Sequence, residues 1–216
     1  MNNLSFKNSN SLAYSIVMIE NKKYLIDLAS MKGKWYFLGL LPKKITLDMI
    51  ELDSSNNSFE IKSKTKLGTT TIAIMLQPLV GILYRTMKSI FISTGINQQL
   101  FIKSIIFVLP MIIAYLGTIF YEKSARRKVE LQTPKFSKHY KIILKPNGKR
   151  IPVLGFGIVL NFICLVLFLI DTSGSEAAVL VINGLISLFF FFIIRMPNIT
   201  SLYKNKELLL VRIKEI

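Results

Sequence analysis

The stretch "INGLISLFFFFIIRMP", residues 182–197, sets four consecutive phenylalanines behind an asparagine and closes on an arginine and a proline. A bare phenylalanine run of this kind suits a helix wetted by acyl chains. Arg195 can then snorkel to the headgroups, and Pro197 stands where such a helix stops. The stretch is the end of an uncharged interval of 18 residues, 177–194, between Glu176 and Arg195.

Three more intervals share that character. Residues 67–84 and 104–121 each hold 18 uncharged residues, and residues 151–170 hold 20. A helix rising about 1.5 Å per residue needs about 20 residues to cross a hydrocarbon core of about 30 Å. The expected fold class is therefore an all-α polytopic membrane protein with four transmembrane helices. A fifth span is an open alternative.

Composition agrees. Of 216 residues 51% are hydrophobic, yet the net charge is +16 and the mean hydropathy +0.47. Apolar residues sorted away from basic ones fit membrane spans joined by cationic loops. The single cysteine, Cys164, excludes an intramolecular disulfide and a cysteine-based zinc site, and its apolar setting marks it as a buried thiol. The N-terminus "MNNLSFKNSNS" lacks the basic-then-apolar pattern of a cleavable signal peptide, so insertion through internal spans is expected.

Basic residues set the expected orientation. Residues 1–66 carry ten Lys and Arg, residues 122–150 carry ten and the tail from Arg195 carries five. Only Arg85, Lys88 and Lys103 fall in the other connections. The positive-inside rule places both termini and the central loop in the cytoplasm. The organisation that follows is a cytoplasmic region 1–66, a helical hairpin 67–121 with spans 67–84 and 104–121, and a basic loop 122–150. A second hairpin 151–195, with spans 151–170 and 177–194, and a tail 196–216 complete it.

Within the first region, the segment 33–42 contains "WYFLGLLP" between lysine pairs. It is too short to cross and reads as a helix lying in the interface with Trp35 and Tyr36 at headgroup level. The five-span alternative extends it back through Asp27, Lys32 and Lys34. "YSIVMIENKKYLIDL" (14–28) reads as two short strands around Glu20-Asn21-Lys22, and "YKIILKPNGKRIPV" (140–153) as a strand before a Pro146-Asn147-Gly148 turn. "ELLLVRIKEI" (207–216) is a strand or a short amphipathic helix.

Catalytic, cofactor and metal motifs are not found, and no such residues are assigned. His139 is the only histidine and reads as a solvated loop residue. The polar span residues Gln77, Asn161 and Asn183 either line a solute path or hydrogen-bond between helices. Ala114, Gly117, Gly155, Gly157 and Gly184 permit close helix contact, and Pro78 and Pro110 are expected to kink their helices. The basic clusters Lys123, Arg126, Arg127, Lys128 and Lys149, Arg150 flank spans without aromatic stacking partners. They read as headgroup anchors rather than a nucleic-acid site.

"YSIVMIENKKYLIDLAS", the aromatic patch after it, "LPKKI" and the paired spans around a basic loop resemble the staphylococcal tandem five-transmembrane proteins. The resemblance implies a non-enzymatic integral membrane protein similar to immunity proteins against a membrane-depolarising toxin of the type VII secretion system. The partners so implied are the lipid bilayer and a secreted pore-forming or depolarising toxin, with homo-oligomerisation open and no cofactor. Candidate toxin contacts are the connections "STGINQQ" (93–99) and "DTSGSE" (171–176). The alternative is a small transporter or channel lined by Gln77, Asn161 and Asn183.

Overall fold

The computed structural model describes residues 4–61, 69–134, 137–148 and 152–216. The chain is mixed α/β rather than all-α. A six-stranded antiparallel sheet runs in sequence order: β1 (Leu4–Asn8), β2 (Tyr14–Ile19), β3 (Lys22–Lys32), β4 (Ile45–Leu52), β5 (His139–Pro146) and β6 (Leu208–Glu215). The helices are α1 (Thr69–Ser93), α2 (Leu100–Gln132), α3 (Val153–Ile170), α4 (Ala177–Arg195) and the short α5 (Ile199–Lys204). The chain divides into two compact units. One comprises Met1–Lys62, Thr118–Gly155 and Phe190–Ile216, the other Ser63–Gly117 and Phe156–Phe189.

The first unit is built on the sheet. Glu20 and Asn21 both take positive φ (49° and 67°), which gives the tight turn that joins β2 to β3. Residues opposite one another across the ladder share a face. Phe6 faces Val17, Ser15 faces Ile26, Met49 faces Tyr140, and Leu47 faces Ile142. On this face α5 docks, with Thr200 hydrogen-bonded to Ser15 at 2.7 Å and Tyr203 stacked on Phe6 at 4.5 Å. The opposite face carries Tyr14, Ile16, Leu25 and Asp27, and there Arg126 of α2 meets Asp27 at 3.1 Å. Cover on both sides explains why β2 is buried along nearly its whole length. Each large apolar side chain so buried contributes on the order of 1.5–3 kcal/mol.

A bulge interrupts β3. Asp27 pairs with Asp48 and Lys32 with Thr46, so β3 carries three more residues than β4 over that interval. The Asp27 carboxylate accepts the Ala29 and Ser30 amides at 2.9 and 3.2 Å. The Ser30 hydroxyl donates to the Asp27 carbonyl and accepts from the Asp48 amide at 2.8 Å.

Several sequence-based expectations change. The expected interfacial helix at 33–42 is a single 3-10 turn, Lys34–Leu38. Its Tyr36 and Phe37 are fully buried in the sheet core, while Trp35 points outward. Since β3 and β4 are neighbours in one sheet, the segment between them returns to the side it left, which removes the fifth span. The expected all-α class fails because β1 and β4 join the three strand-like segments into one continuous sheet.

Among the described residues, three helices are long and apolar enough to cross a membrane: α2, α3 and α4. They fit a membrane protein. The first expected span, 67–84, begins in residues that lie outside the description. Its helix α1 continues to Ser93 and so carries Arg85 and Lys88 within it rather than in a connection. Likewise α2 does not end at residue 121. At 33 residues it is about 50 Å long, some 20 Å more than a hydrocarbon core. The first part of the expected basic loop is therefore helix, and its Val129 is buried in the core of the sheet unit.

Candidate binding surface on the helical unit

Both connections proposed as contact surfaces belong to the second unit, and they touch. After α1, Gly95 (φ 65°) turns the chain into a 3-10 turn, Ile96–Gln98. Asn97 at its centre is buried and donates to the Thr172 carbonyl at 2.6 Å. Thr172 lies in the connection between α3 and α4. Gly174 in that connection has φ 85°, and a Cβ there would stand 2.8 Å from the Ile92 side chain. The two segments thus form one surface, with Thr94, Gln98, Gln99, Thr172 and Ser173 exposed.

The charges beside these connections are spent internally. Lys103, expected in a solvated connection, is fully buried. Its ammonium donates to the Asp171 carbonyl at 2.5 Å and stands 3.5 Å from the Glu176 carboxylate and 5.2 Å from the Phe168 ring. Glu176 is equally buried, and both of its oxygens lack a hydrogen-bond partner. The Asp171 carboxylate accepts the Ser175 hydroxyl and the Ser173 amide, which hold it down at about 2. A sequence reading by charge gaps misses this cluster, because it treats every charged residue as a mark of water.

The polar span residues differ in their surroundings. Asn161 donates to the Gly157 carbonyl of its own helix at 2.9 Å and accepts the Ser187 hydroxyl from α4 at 3.0 Å. Asn183 is buried and donates to the Phe107 carbonyl of α2 at 3.1 Å. Gln77 is exposed on α1. Asn161 and Asn183 thus both take part in hydrogen bonds that join neighbouring helices.

The helices instead enclose an apolar groove of about 570 Å³ between α1, α2 and α4. Leu83, Met87, Pro110, Ile113, Gly117 and Leu185 are among its lining. Gly184 packs tightly, since a Cβ there would lie 3.2 Å from Pro110. Gly117 is open, and a Cβ there would meet nothing within 4 Å. Both α1 and α2 run on through Pro78 and Pro110 as continuous helices. Cys164 is buried with Phe91, Phe107, Phe168 and Leu180.

The sheet unit holds its own ionic network. The Glu122 carboxylate takes the Arg195 guanidinium at 3.1 and 2.5 Å through one oxygen and Arg126 at 3.2 Å through the other. Arg126 also reaches Asp27, whose carboxyl burial pushes up while the Arg126 charge and the bulge amides pull it down. Burial likewise lowers the Lys34 ammonium, which donates to the Ala29 carbonyl at 3.4 Å. Of the expected basic clusters, Lys123, Arg127 and Lys128 are exposed on α2, while Lys149 and Arg150 lie outside the described residues. His139 is an exposed residue opening β5. Among the described residues no group of three or more His, Cys, Asp or Glu could hold a metal ion. Compared with known proteins, the chain matches no family model, no curated protein and no solved structure.

Proposed function

We propose that this protein is a membrane protein that acts by binding a second membrane-inserted segment, and that it protects a bacterial cell from a secreted depolarising toxin. The observation that carries the binding reading is the groove between α1, α2 and α4. It is apolar, and it is floored in part by the open Gly117. A helix or acyl-like segment fits such a site by shape alone, since small residues let a neighbouring backbone approach closely. The joined connections 93–99 and 171–176 supply an exposed polar rim. The toxin as partner rests on the resemblance of residues 14–45 to the staphylococcal family, whereas the cytoplasmic placement of the termini rests on the basic charge of the segments around them.

Sensitive cells expressing the protein are challenged with the toxin while membrane potential is recorded. Protection is expected from the native chain. At Gly117 a Cβ meets nothing within 4 Å, so Gly117→Leu should project into the groove and abolish protection with little change of thermal stability in detergent. Equal depolarisation with and without the native chain removes the immunity reading. Full protection by a folded Gly117→Leu chain removes the groove as the site.

A further inference from the structure

The segment between β3 and β4 buries some of its large apolar residues and exposes others. Tyr36 and Phe37 are rooted in the sheet core, whereas Trp35, Leu40 and Leu41 are 65%, 57% and 42% exposed. Two glycines in left-handed conformation bracket the turn, Gly33 (φ 96°) and Gly39 (φ 82°). A Cβ on Gly33 would stand 3.1 Å from the Lys44 carbonyl, so the two ends of the segment meet. The Gly39 amide donates to the Tyr36 carbonyl and the Leu40 amide to the Trp35 carbonyl. The protrusion is thus fixed in shape. Lys32, Lys43 and Lys44 stand exposed around its base.

Its place in the fold identifies what it meets. Gly39 lies against Pro152, one residue before α3 begins at Val153. At 18 residues α3 is about 27 Å long, close to the hydrocarbon thickness, so its first turn belongs at a bilayer surface. Lys34, in the same turn, donates to the Ala29 carbonyl at 3.4 Å. The Gly39–Pro152 contact therefore sets the protrusion beside the residue that leads into a helix apolar enough to cross a membrane. Tryptophan favours the headgroup depth, and lysines near the surface gain about 1 kcal/mol each from anionic lipid.

We infer that Trp35, Leu40 and Leu41 form a wedge that inserts into the headgroup layer of the surrounding bilayer, with Lys32, Lys43 and Lys44 selecting anionic phospholipid. The wedge is independent of the toxin reading. It would hold the sheet unit at a fixed height on the membrane.

Trp35 is the only tryptophan in the chain, so intrinsic fluorescence reports on this site alone. The full chain is reconstituted in vesicles of phosphatidylcholine with and without phosphatidylglycerol. Trp35 is expected to be quenched by lipid brominated near the headgroup and shielded from acrylamide, more strongly with phosphatidylglycerol. Leu40→Asp with Leu41→Asp should lose the shielding. Lys43→Glu with Lys44→Glu should lose only the dependence on phosphatidylglycerol. All four substituted positions are exposed, and circular dichroism confirms that the variants fold. Free access of acrylamide to Trp35 in both vesicles overturns the wedge. Shielding without quenching by brominated lipid assigns the surface to a protein partner or a second copy and overturns it too. Equal shielding in both vesicles overturns the anionic selectivity.

Discussion

Lys103 and Glu176 are both inaccessible to solvent and stand 3.5 Å apart at the ends of α2 and α4. Removing one partner of a buried pair leaves the other uncompensated, at a cost of about 3–5 kcal/mol, whereas replacing both with apolar residues is near neutral. Lys103→Met alone should therefore lower the thermal midpoint in detergent sharply, and adding Glu176→Leu should restore most of it. Additive losses would contradict the pairing. In the neighbouring connection, Gly174→Ala forces a left-handed residue against Ile92 and should cost on the order of 1–3 kcal/mol in the same assay. Asp171 gives a pH signature. Its folded pKa of about 2 lies below the unfolded carboxylate value of about 3.9, so its contribution is present above the latter and is lost as pH falls towards the former. Asp171→Asn should remove that part of the acid slope in a stability titration from pH 5 to pH 2. None of these contacts is legible in the sequence. Position in a chain shows that Lys103 and Glu176 border uncharged intervals, but not that two borders of different intervals meet.

At the scale of elements, Glu122 of α2 holds both Arg126 of its own helix and Arg195, the last residue of α4. Arg126 is 43% exposed at its side chain, so screening reduces that half of the network, while the Arg195 contact is more enclosed. Glu122→Leu should cost about 2 kcal/mol and speed amide exchange over residues 190–196. Unchanged exchange there would show that the end of α4 is held by packing alone. The strands differ in how far they could be read. The β2–β3 hairpin carries its turn in Glu20-Asn21 and β5 runs into the Pro146-Asn147-Gly148 turn, so local pattern marks them, whereas the β6 segment fits a strand or a short amphipathic helix equally. The β4 segment "ITLDMIEL" alternates as well, with Ile45, Leu47 and Met49 buried. That period-two signal marks β4 as a strand in the sequence itself. Helix positions followed from the uncharged intervals, but helix ends did not. Charge marks where hydrocarbon stops, whereas backbone hydrogen bonding carries α1 to Ser93 and α2 to Gln132 regardless of charge. The 3-10 turn at Lys34–Leu38 has too few residues for any period to show which of Trp35 and Tyr36 is buried.

On the scale of the whole molecule, the sheet constrains topology more tightly than hydropathy does. Its strands come from before α1, from between α2 and α3, and from after α4, yet they are hydrogen-bonded neighbours. Residues 45–52, 139–146 and 208–215 must therefore lie on one side of any membrane the helices cross. This pairing was invisible in the sequence because β4 and β5 are separated by two long helices, as are β5 and β6 apart from the short α5. The chain that leaves β4 and returns to β5 through α2 needs an opposite leg, and α1, about 37 Å long, is the described helix available. The account is tested most directly by cysteine accessibility in intact cells, in a Cys164→Ala background. Single cysteines replace Ser54, Lys145 and Lys214 beside the sheet and Thr172 between α3 and α4, all exposed positions. A membrane-impermeant maleimide should modify the Thr172→Cys chain from one face and the other three only from the opposite face. Modification of Thr172→Cys from the same face as the other three, or of Ser54→Cys and Lys145→Cys from different faces, would contradict it.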